Sequence, residues 1–161
     1  KPLNQLRTTI HTGMDNIRES VHDLHETSLS FSKGLELLIA DFQFCEVEIR
    51  GNIPEGMDQE QERTLLMVLK EAFANVMKHS NASNVTLSFN ELPAFYRLQI
   101  LDNGTLAKKS GDGIGLKSMR QRVEQINGQL HVSQTPDNFL IHIVLPKDSQ
   151  PSFHNHHRTR K

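Results

Sequence analysis

The fold is decided by residues 58–80, which read DQEQERTLLMVLKEAFANVMKHS. Apolar side chains recur in this stretch at intervals of three and four, which predicts one long amphipathic helix with a buried side. These side chains are Leu65, Leu69, Ala72, Phe73 and Val76. Asp58 is the predicted N-cap of the helix, and Gln61 occupies the position of its capping-box partner.

Polar residues of the same stretch form a second pattern. Glu71, Asn75 and Lys78 follow each other at intervals of four and three, and His79 flanks them. At about 100° per residue these side chains share one stripe, roughly opposite the apolar side. Carboxylate and carboxamide oxygens suit Mg²⁺ that is also held by phosphates. The ordinary alternative is a solvent-exposed helix face, which this helix alone favours.

Composition limits the classes of function. The chain has 161 residues, which suits one main domain with an appendage, and a formal net charge of −1, which provides no general basic field for nucleic acid. Its single cysteine, Cys45, excludes an internal disulfide framework and is interpreted as a buried, inert thiol. No apolar run reaches the length of a membrane span.

The first thirty residues predict a helix that belongs to a dimeric helical bundle, followed by a linker. Seven apolar residues advance there in steps close to a heptad repeat, as in helices that pack on other helices. They are Leu3, Leu6, Ile10, Met14, Ile17, Val21 and Leu24. The alternative is an amphipathic helix on its own domain. We predict a folded domain over residues 31–147 and a disordered polar tail over 148–161.

Two groups of histidines are candidates for metal or phosphate sites. His22 and His25 lie among carboxylates, and a partly exposed polar cluster is the favoured interpretation. The histidines near the C-terminus lie among basic residues, and the disordered tail explains them better than a metal site.

The remaining patterns predict helices and strands in an order typical of an α+β fold. Helices are predicted over residues 31–42 and 117–126, and strands over 46–50, 85–89, 95–101, 129–133 and 139–145. Adjacent strand pairs separated by helices favour a mixed, mostly antiparallel sheet with helices on one face. Gly128 is predicted to end the helix over residues 117–126. Met119, in the first turn of that helix, is predicted to cover the entrance of the site.

Two further motifs have the chemistry of a nucleotide site. Asp102-Asn103-Gly104 ends a predicted strand, where the carboxylate can accept a hydrogen bond from an exocyclic amine and the glycine allows close approach. Gly111-Asp112-Gly113-Ile114-Gly115-Leu116 opens a helix, where free N–H groups favour phosphate. Neither the P-loop ending nor the dinucleotide-binding glycine spacing is present.

The order of these motifs resembles that of histidine kinases. Leu69 to Ser80 resembles their N box, Asp102-Asn103-Gly104 their first Gly box, and the Gly111–Leu116 run their second. The chain is similar to the catalytic part of sensor histidine kinases of two-component systems, in the subclass whose response regulators bind DNA through a LuxR-type domain. The resemblance implies a Bergerat-type α/β sandwich that binds ATP with Mg²⁺.

The resemblance also implies roles for individual residues. Asn75 would bind Mg²⁺ and bridge to the phosphates, and Glu71 would act on the Mg²⁺ water shell or polarise the attacking group. Lys78 would approach the phosphates, His79 would line the nucleotide site, and Asp102 would accept from the adenine amino group. The pocket, the hinge of a lid over residues 105–112, and the adjoining helix would be shaped by Gly104, Gly113, Gly115 and Leu116.

The resemblance further implies partners and a location. The γ-phosphate would pass to a histidine on the dimerisation domain, expected upstream of Lys1, and then to a response-regulator aspartate. The parent protein would be a homodimer, with this domain in the cytoplasm and a possible anchor in the cell membrane. The alternatives are a serine kinase of the anti-sigma-factor type and a nucleotide-binding pseudokinase. The presence of Glu71, Asn75 and Asp102 argues against the pseudokinase.

Overall fold

The structure, a computed structural model, describes residues 30–105 and 114–147. Its elements, in chain order, are α1 (Phe31–Asp41), β1 (Glu46–Arg50), α2 (Gln59–His79), β2 (Asn84–Glu91), β3 (Phe95–Asp102), α3 (Ile114–Gln125), β4 (Gln129–Gln134) and β5 (Phe139–Pro146). The predicted dimerisation helix, most of the predicted lid and the predicted tail lie outside the described residues.

Five strands form one sheet in the described part of the chain, in the order β1-β2-β3-β5-β4. β1 runs parallel to β2, and the other neighbouring strands are antiparallel. The strands that the sequence predicts over residues 85–89 and 95–101 pair with each other as the antiparallel hairpin of β2 and β3. The mixed, mostly antiparallel sheet of the α+β prediction is therefore confirmed.

The two faces of the sheet differ in polarity, because successive side chains of a strand point to opposite sides. Leu87, Leu98 and Ile143 lie on the inner face and are 3% exposed or less. Gln99 and His142 are paired neighbours on the outer face and are only partly buried. The helices cover the inner face, and their apolar side chains join those of the strands in a single core.

The long helix α2 begins as its N-terminal sequence predicts. The Asp58 carboxylate accepts from the Gln61 N–H at 2.8 Å, and the Gln61 side-chain oxygen accepts from the Asp58 N–H at 3.2 Å. Gln61 is also 1% exposed, and its amide donates to the Pro146 carbonyl at 2.7 Å. The capping box therefore also ties the start of α2 to the end of β5.

Aromatic contacts place α1 against α2 and the sheet. The rings of Phe42 and Phe73 stack with centroids 4.6 Å apart, and Phe31 meets Phe89 edge-on at 5.9 Å. Such pairs add to the hydrophobic contribution of the rings themselves. The predicted helix over residues 31–42 is confirmed, with Ser30 as its N-cap.

The helix α3 differs from its prediction at both ends. It begins at Ile114, three residues earlier than expected. The residue with left-handed backbone after the helix is Asn127, with φ 63°, rather than the predicted Gly128. The N–H groups of Asn127 and Gly128 donate to the carbonyls of Glu124 and Val123, at 3.0 and 2.9 Å, which is a Schellman ending.

Gly128 is required instead because the residue packs closely against β5. A Cβ atom there would be 2.6 Å from Leu145 Cδ2 and 2.9 Å from the Val144 carbonyl oxygen. Met119, predicted at the entrance of the site, is 1% exposed and belongs to the core, because it lies on the side of α3 that carries Val123. Among the described residues, no helix combines the length and apolar character that crossing a bilayer requires.

Candidate functional site

The predicted polar stripe of α2 lies on the side of the helix away from the core. Glu71 and Asn75 are half-buried, whereas Lys78 and His79 are exposed in the last turn. The half-burial of Glu71 and Asn75 shows that another element approaches the stripe at their level.

That element is the start of α3. A Cβ atom on Gly115 would be 2.5 Å from Glu71 Oε1 and 3.6 Å from Asn75 Nδ2. Only glycine permits this approach with the Glu71 side chain where it is. The N-terminal turn of α3 has free N–H groups and a favourable potential for negative charge. Glu71, Asn75 and this helix terminus therefore form one cluster.

A second cluster lies at the other end of the stripe, where β3 ends. Asp102 is 2% exposed. Its Oδ1 accepts from the Ser80 hydroxyl at 3.2 Å and from the Gly104 N–H at 3.0 Å. Ser80 is the C-cap of α2, so the carboxylate is held against the end of the helix that carries the stripe.

Side chains bind the segment after β3 to the segment after α2. Asn103 Oδ1 accepts from the N–H groups of Ser83 and Asn84, at 2.9 and 3.0 Å. The Thr105 N–H donates to Asn81 Oδ1 at 2.8 Å, and Asn81 Nδ2 donates to the Thr105 hydroxyl at 2.9 Å. Residues 102–105 are therefore fixed to residues 80–84 along their whole length, and we call this double segment the clasp.

Gly104 completes the clasp because no side chain fits there. A Cβ atom on this residue would collide with Ser80 Oγ and lie 2.9 Å from Asp102 Oδ1. The neighbour that leaves no room for a side chain on Gly104 is the Ser80 hydroxyl, and the approach of a ligand ring to this glycine stays a prediction.

The clasp contains residues that sequence reasoning missed. Ser80 and Asn81 follow the end of α2, where polar residues commonly serve as caps, and their contacts with a distant segment have no signal in the pattern. The contacts of Asn103 with Ser83 and Asn84 likewise have no signal in the Asp102-Asn103-Gly104 motif.

The two clusters lie along one helix. Glu71 and Ser80 are nine residues apart, which is about 13 Å at the rise of an α-helix. Lys78 and His79 lie in the last turn of α2, near the clasp, and Leu116 is partly buried against the core beside Gly115. Gly113 lies outside the described residues. An elongated ligand with a polar ring at one end and anionic groups at the other matches this arrangement.

Cys45 lies near the clasp without reactive character. Burial, then the charges of Asp102 and Glu46, raise the pKa of its thiol, which keeps the thiol protonated at neutral pH. The side chain is partly rather than fully buried, and it packs against the core. Among the described residues, no three His, Cys, Asp or Glu side chains gather as a metal centre.

Relatives by sequence are sensor kinases, although no family profile matches the chain. The sensor histidine kinase DesK of Bacillus subtilis is 28% identical over 158 residues, which cover 93% of this chain and 41% of DesK. The sensor protein VraS of Staphylococcus aureus strain COL is 29% identical over 105 residues, covering 63% of this chain and 29% of VraS. The chain thus spans less than half the length of these relatives.

Solved structures with the same fold are histidine kinases. Acinetobacter baumannii AdeS matches with a TM-score of 0.60 and 18% identity, over 91% of this chain and 82% of that structure. The catalytic domain of ThkA matches with a TM-score of 0.58 and 11% identity, over 75% of this chain and 96% of that domain. At these identities the likeness concerns the fold. The chain is therefore similar in sequence to sensor histidine kinases, and its described part has the fold of a histidine kinase catalytic domain.

Proposed function

We propose that the chain is the ATP-binding catalytic domain of a sensor histidine kinase, which transfers the γ-phosphate of ATP to a histidine on the dimerisation domain. One observation carries this proposal: a single helix, α2, connects the Asp102 clasp to the Glu71, Asn75 and Gly115 cluster. A nucleotide has its base at one end and its charged phosphates at the other, and the two clusters differ in the same way.

The adenine end belongs to Asp102. A carboxylate accepts hydrogen bonds and, when ionised, donates none, so it suits the exocyclic amino group of adenine. Its burial strengthens the selection, because an unmatched polar group in that position costs free energy. Gly104 keeps the space beside the carboxylate free of a side chain.

The phosphate end belongs to Asn75, Glu71 and the start of α3. The donor set fits Mg²⁺ bound together with phosphates, since both side chains offer oxygen ligands and few protein ligands are needed. Gly115 admits the α3 terminus, whose N–H groups suit phosphate oxygens. Lys78 adds positive charge near the end of α2, and His79 lines the same side.

Bound Mg-ATP would supply the γ-phosphoryl group that is transferred, and the metal would offset the charge of that group. The chain contributes position and electrostatics. Asn75 would hold the metal–phosphate unit, and Glu71 would orient the water shell of the metal or polarise the attacking imidazole of the acceptor. Leu116 lies beside Gly115 in the first turn of α3, so it supports the helix terminus that faces the phosphates.

The proposed whole protein has further parts. Residues 1–30 end the dimerisation helix and its linker, residues 31–147 are the catalytic domain, and residues 148–161 are a polar tail. The partners are the dimerisation and phosphoacceptor domain of a homodimer and a response regulator with a DNA-binding output of the LuxR type. The catalytic domain works in the cytoplasm of a parent protein anchored in the cell membrane.

Phosphoamino-acid analysis tests the proposed reaction. The chain is incubated with radiolabelled ATP, Mg²⁺ and a separate dimerisation fragment of a related kinase. Acid-labile, base-stable label on the dimerisation fragment is expected, as phosphohistidine requires. Acid-stable label would indicate a serine kinase instead, and failure of wild-type chain to bind ATP at millimolar concentration would contradict an ATP site.

A matched pair of variants connects the reaction to the cluster. Glu71→Gln is expected to lower the transfer rate, whereas Glu62→Gln, on the same helix but in its first turn, is expected to leave the rate unchanged. Equal transfer rates for the two variants would show that Glu71 plays no part in the reaction.

A further inference from the structure

We propose that Ser80 is a positioning residue that fixes the orientation of Asp102 and thereby sets the preference of the site for an amino-substituted purine. This inference rests on the proposed nucleotide site, and it assigns a role to a residue that does not itself contact the base.

The hydrogen bonds of Ser80 leave its hydroxyl only one direction in which to donate. The oxygen accepts from the Ala82 N–H at 3.0 Å and lies 3.2 Å from Asp102 Oδ1. A hydroxyl has one hydrogen, and an N–H group can only donate. The Ser80 hydrogen is therefore directed to the carboxylate, in a place where the side chains of both residues are shielded from water.

Two donors on one oxygen determine how the carboxylate lies. Ser80 Oγ and the Gly104 N–H both reach Asp102 Oδ1, and they come from different segments of the clasp. Rotation of the carboxylate about its Cβ–Cγ bond would break both bonds. Burial makes such a loss costly, because water cannot replace the partner. The plane of the carboxylate is thus set before a ligand binds.

Packing makes the arrangement depend on Ser80 specifically. Gly104 fits between Ser80 and Asp102 only because it has no Cβ atom. The capping bond of Ser80, by contrast, uses its backbone N–H, which donates to the Val76 carbonyl at 3.0 Å. Removing the hydroxyl therefore leaves the helix cap in place and takes away one of the two donors to Asp102 Oδ1.

The experiment measures the affinities of the whole chain for Mg-ATP and Mg-ITP, whose base has a carbonyl in place of the amino group. Ser80→Ala is expected to weaken ATP binding roughly fivefold to thirtyfold, the range for one lost buried hydrogen bond, and to affect ITP much less. Ser80→Thr keeps the hydroxyl and is expected to keep the ATP preference.

Ser83→Ala is the matched control. The Ser83 hydroxyl accepts from Asn103 Nδ2 at 3.0 Å in the same clasp, but it does not contact Asp102. The control is expected to leave the ratio of the two affinities unchanged. A ratio that changes in Ser80→Ala but not in Ser83→Ala shows control of the carboxylate. A ratio that changes equally in both variants shows a general loosening of the clasp and overturns the role of Ser80.

The outcomes are distinguishable. Folded Ser80→Ala with equal losses of ATP and ITP affinity, or with an unchanged ATP preference, overturns the role of Ser80 while the proposed function stands. A wild-type chain without preference for ATP overturns the adenine site itself and the inference with it. If Ser80→Ala does not fold, Ser80→Cys replaces the hydroxyl with a weaker donor, and an unchanged ATP preference in that variant overturns the role of Ser80.

Discussion

Gly115, at the start of α3, lies so close to α2 that a Cβ atom on it would be 2.5 Å from Glu71 Oε1. The atom in the way is the far end of a flexible side chain, and alanine is a better helix former than glycine by about 1 kcal/mol. Gly115→Ala is therefore expected to displace the Glu71 carboxylate while the free energy of unfolding changes by less than about 1 kcal/mol. The phosphotransfer rate is expected to fall up to about a hundredfold, as for a catalytic group displaced by about 1 Å.

Gly34→Ala is the control for this substitution. Gly34 lies inside α1, and its added Cβ atom would be 2.7 Å from Leu66 Cδ1, far from the polar stripe. Any general effect of replacing a helical glycine appears there without an effect on the rate. Urea unfolding and the transfer assay, performed on both variants, make the comparison. A Gly115→Ala chain with the full wild-type rate would contradict the role of this contact.

Asn75→Asp tests the metal–phosphate end of the site. The variant keeps one oxygen ligand but adds a negative charge four residues from Glu71 and beside the proposed phosphates. Like charges at this helix spacing cost only a few tenths of a kcal/mol in stability, about 0.2–0.5. Affinity for Mg-ATP is expected to fall at least about tenfold, or roughly 1.4 kcal/mol.

Calorimetric titration with Mg-ATP measures this loss, and Asn52→Asp is the control, because it makes the same chemical change at an exposed loop position. A variant that unfolds, with normal affinity in its folded fraction, would mean that Asn75 serves the core instead.

The part of the fold that was predictable is the part governed by local patterns. The helix α2 combines a capping box with a regular apolar side, and its bounds agree with the prediction to within one residue. The hairpin of β2 and β3 follows from alternation on both sides of Asn90-Glu91-Leu92-Pro93. In both cases neighbours in the chain determine the conformation, so a sequence pattern suffices.

The parts that were missed depend on contacts between distant segments. The sequence places the helix start after Gly115, whereas α3 includes this residue, whose lack of a side chain lets the helix approach Glu71. The clasp pairs residues about twenty positions apart through side-chain hydrogen bonds, such as Asn81 with Thr105. No periodicity encodes such pairs. The candidate site was therefore predictable in its residue types, and its supporting residues were not.

Gln61 is expected to contribute more to stability than a capping residue alone. Gln61→Leu removes the bond to the Pro146 carbonyl and the reciprocal bond to the Asp58 N–H. Because the partly buried carbonyl and the partly buried capping box both lose a partner, we expect a cost of about 1–3 kcal/mol in the free energy of unfolding. Asp58→Ala removes only the N-cap acceptor and is expected to cost about 0.5–2 kcal/mol.

Urea unfolding of both variants and of their combination makes this comparison. The double variant is expected to lose less free energy of unfolding than the sum of the two single losses, because the two side chains share one capping box. Gln121→Leu, the same change at an exposed position of α3, is the control. A Gln61→Leu chain as stable as this control would show that the bond to Pro146 contributes nothing.

His142 on the outer face of the sheet is expected to make stability depend on pH. Burial lowers the pKa of its imidazole first, and the positive charge of Arg97 and the proximity of His131 lower it further. The folded chain therefore resists protonation more than the unfolded chain, whose histidines titrate near a pKa of about 6.5. Since the unfolded state then binds more protons, stability is complete above that pKa and falls as the pH drops through it.

His142→Gln is expected to flatten this dependence, because glutamine has no proton to gain. Arg97→Gln is expected to flatten it partly, since one of the repelling charges is removed while burial remains. Urea unfolding midpoints at about pH 5.5 and about pH 7.5, on either side of the ordinary histidine pKa, measure the effect. If the difference between the two midpoints is as large in His142→Gln as in the wild-type chain, another group causes the loss of stability in acid.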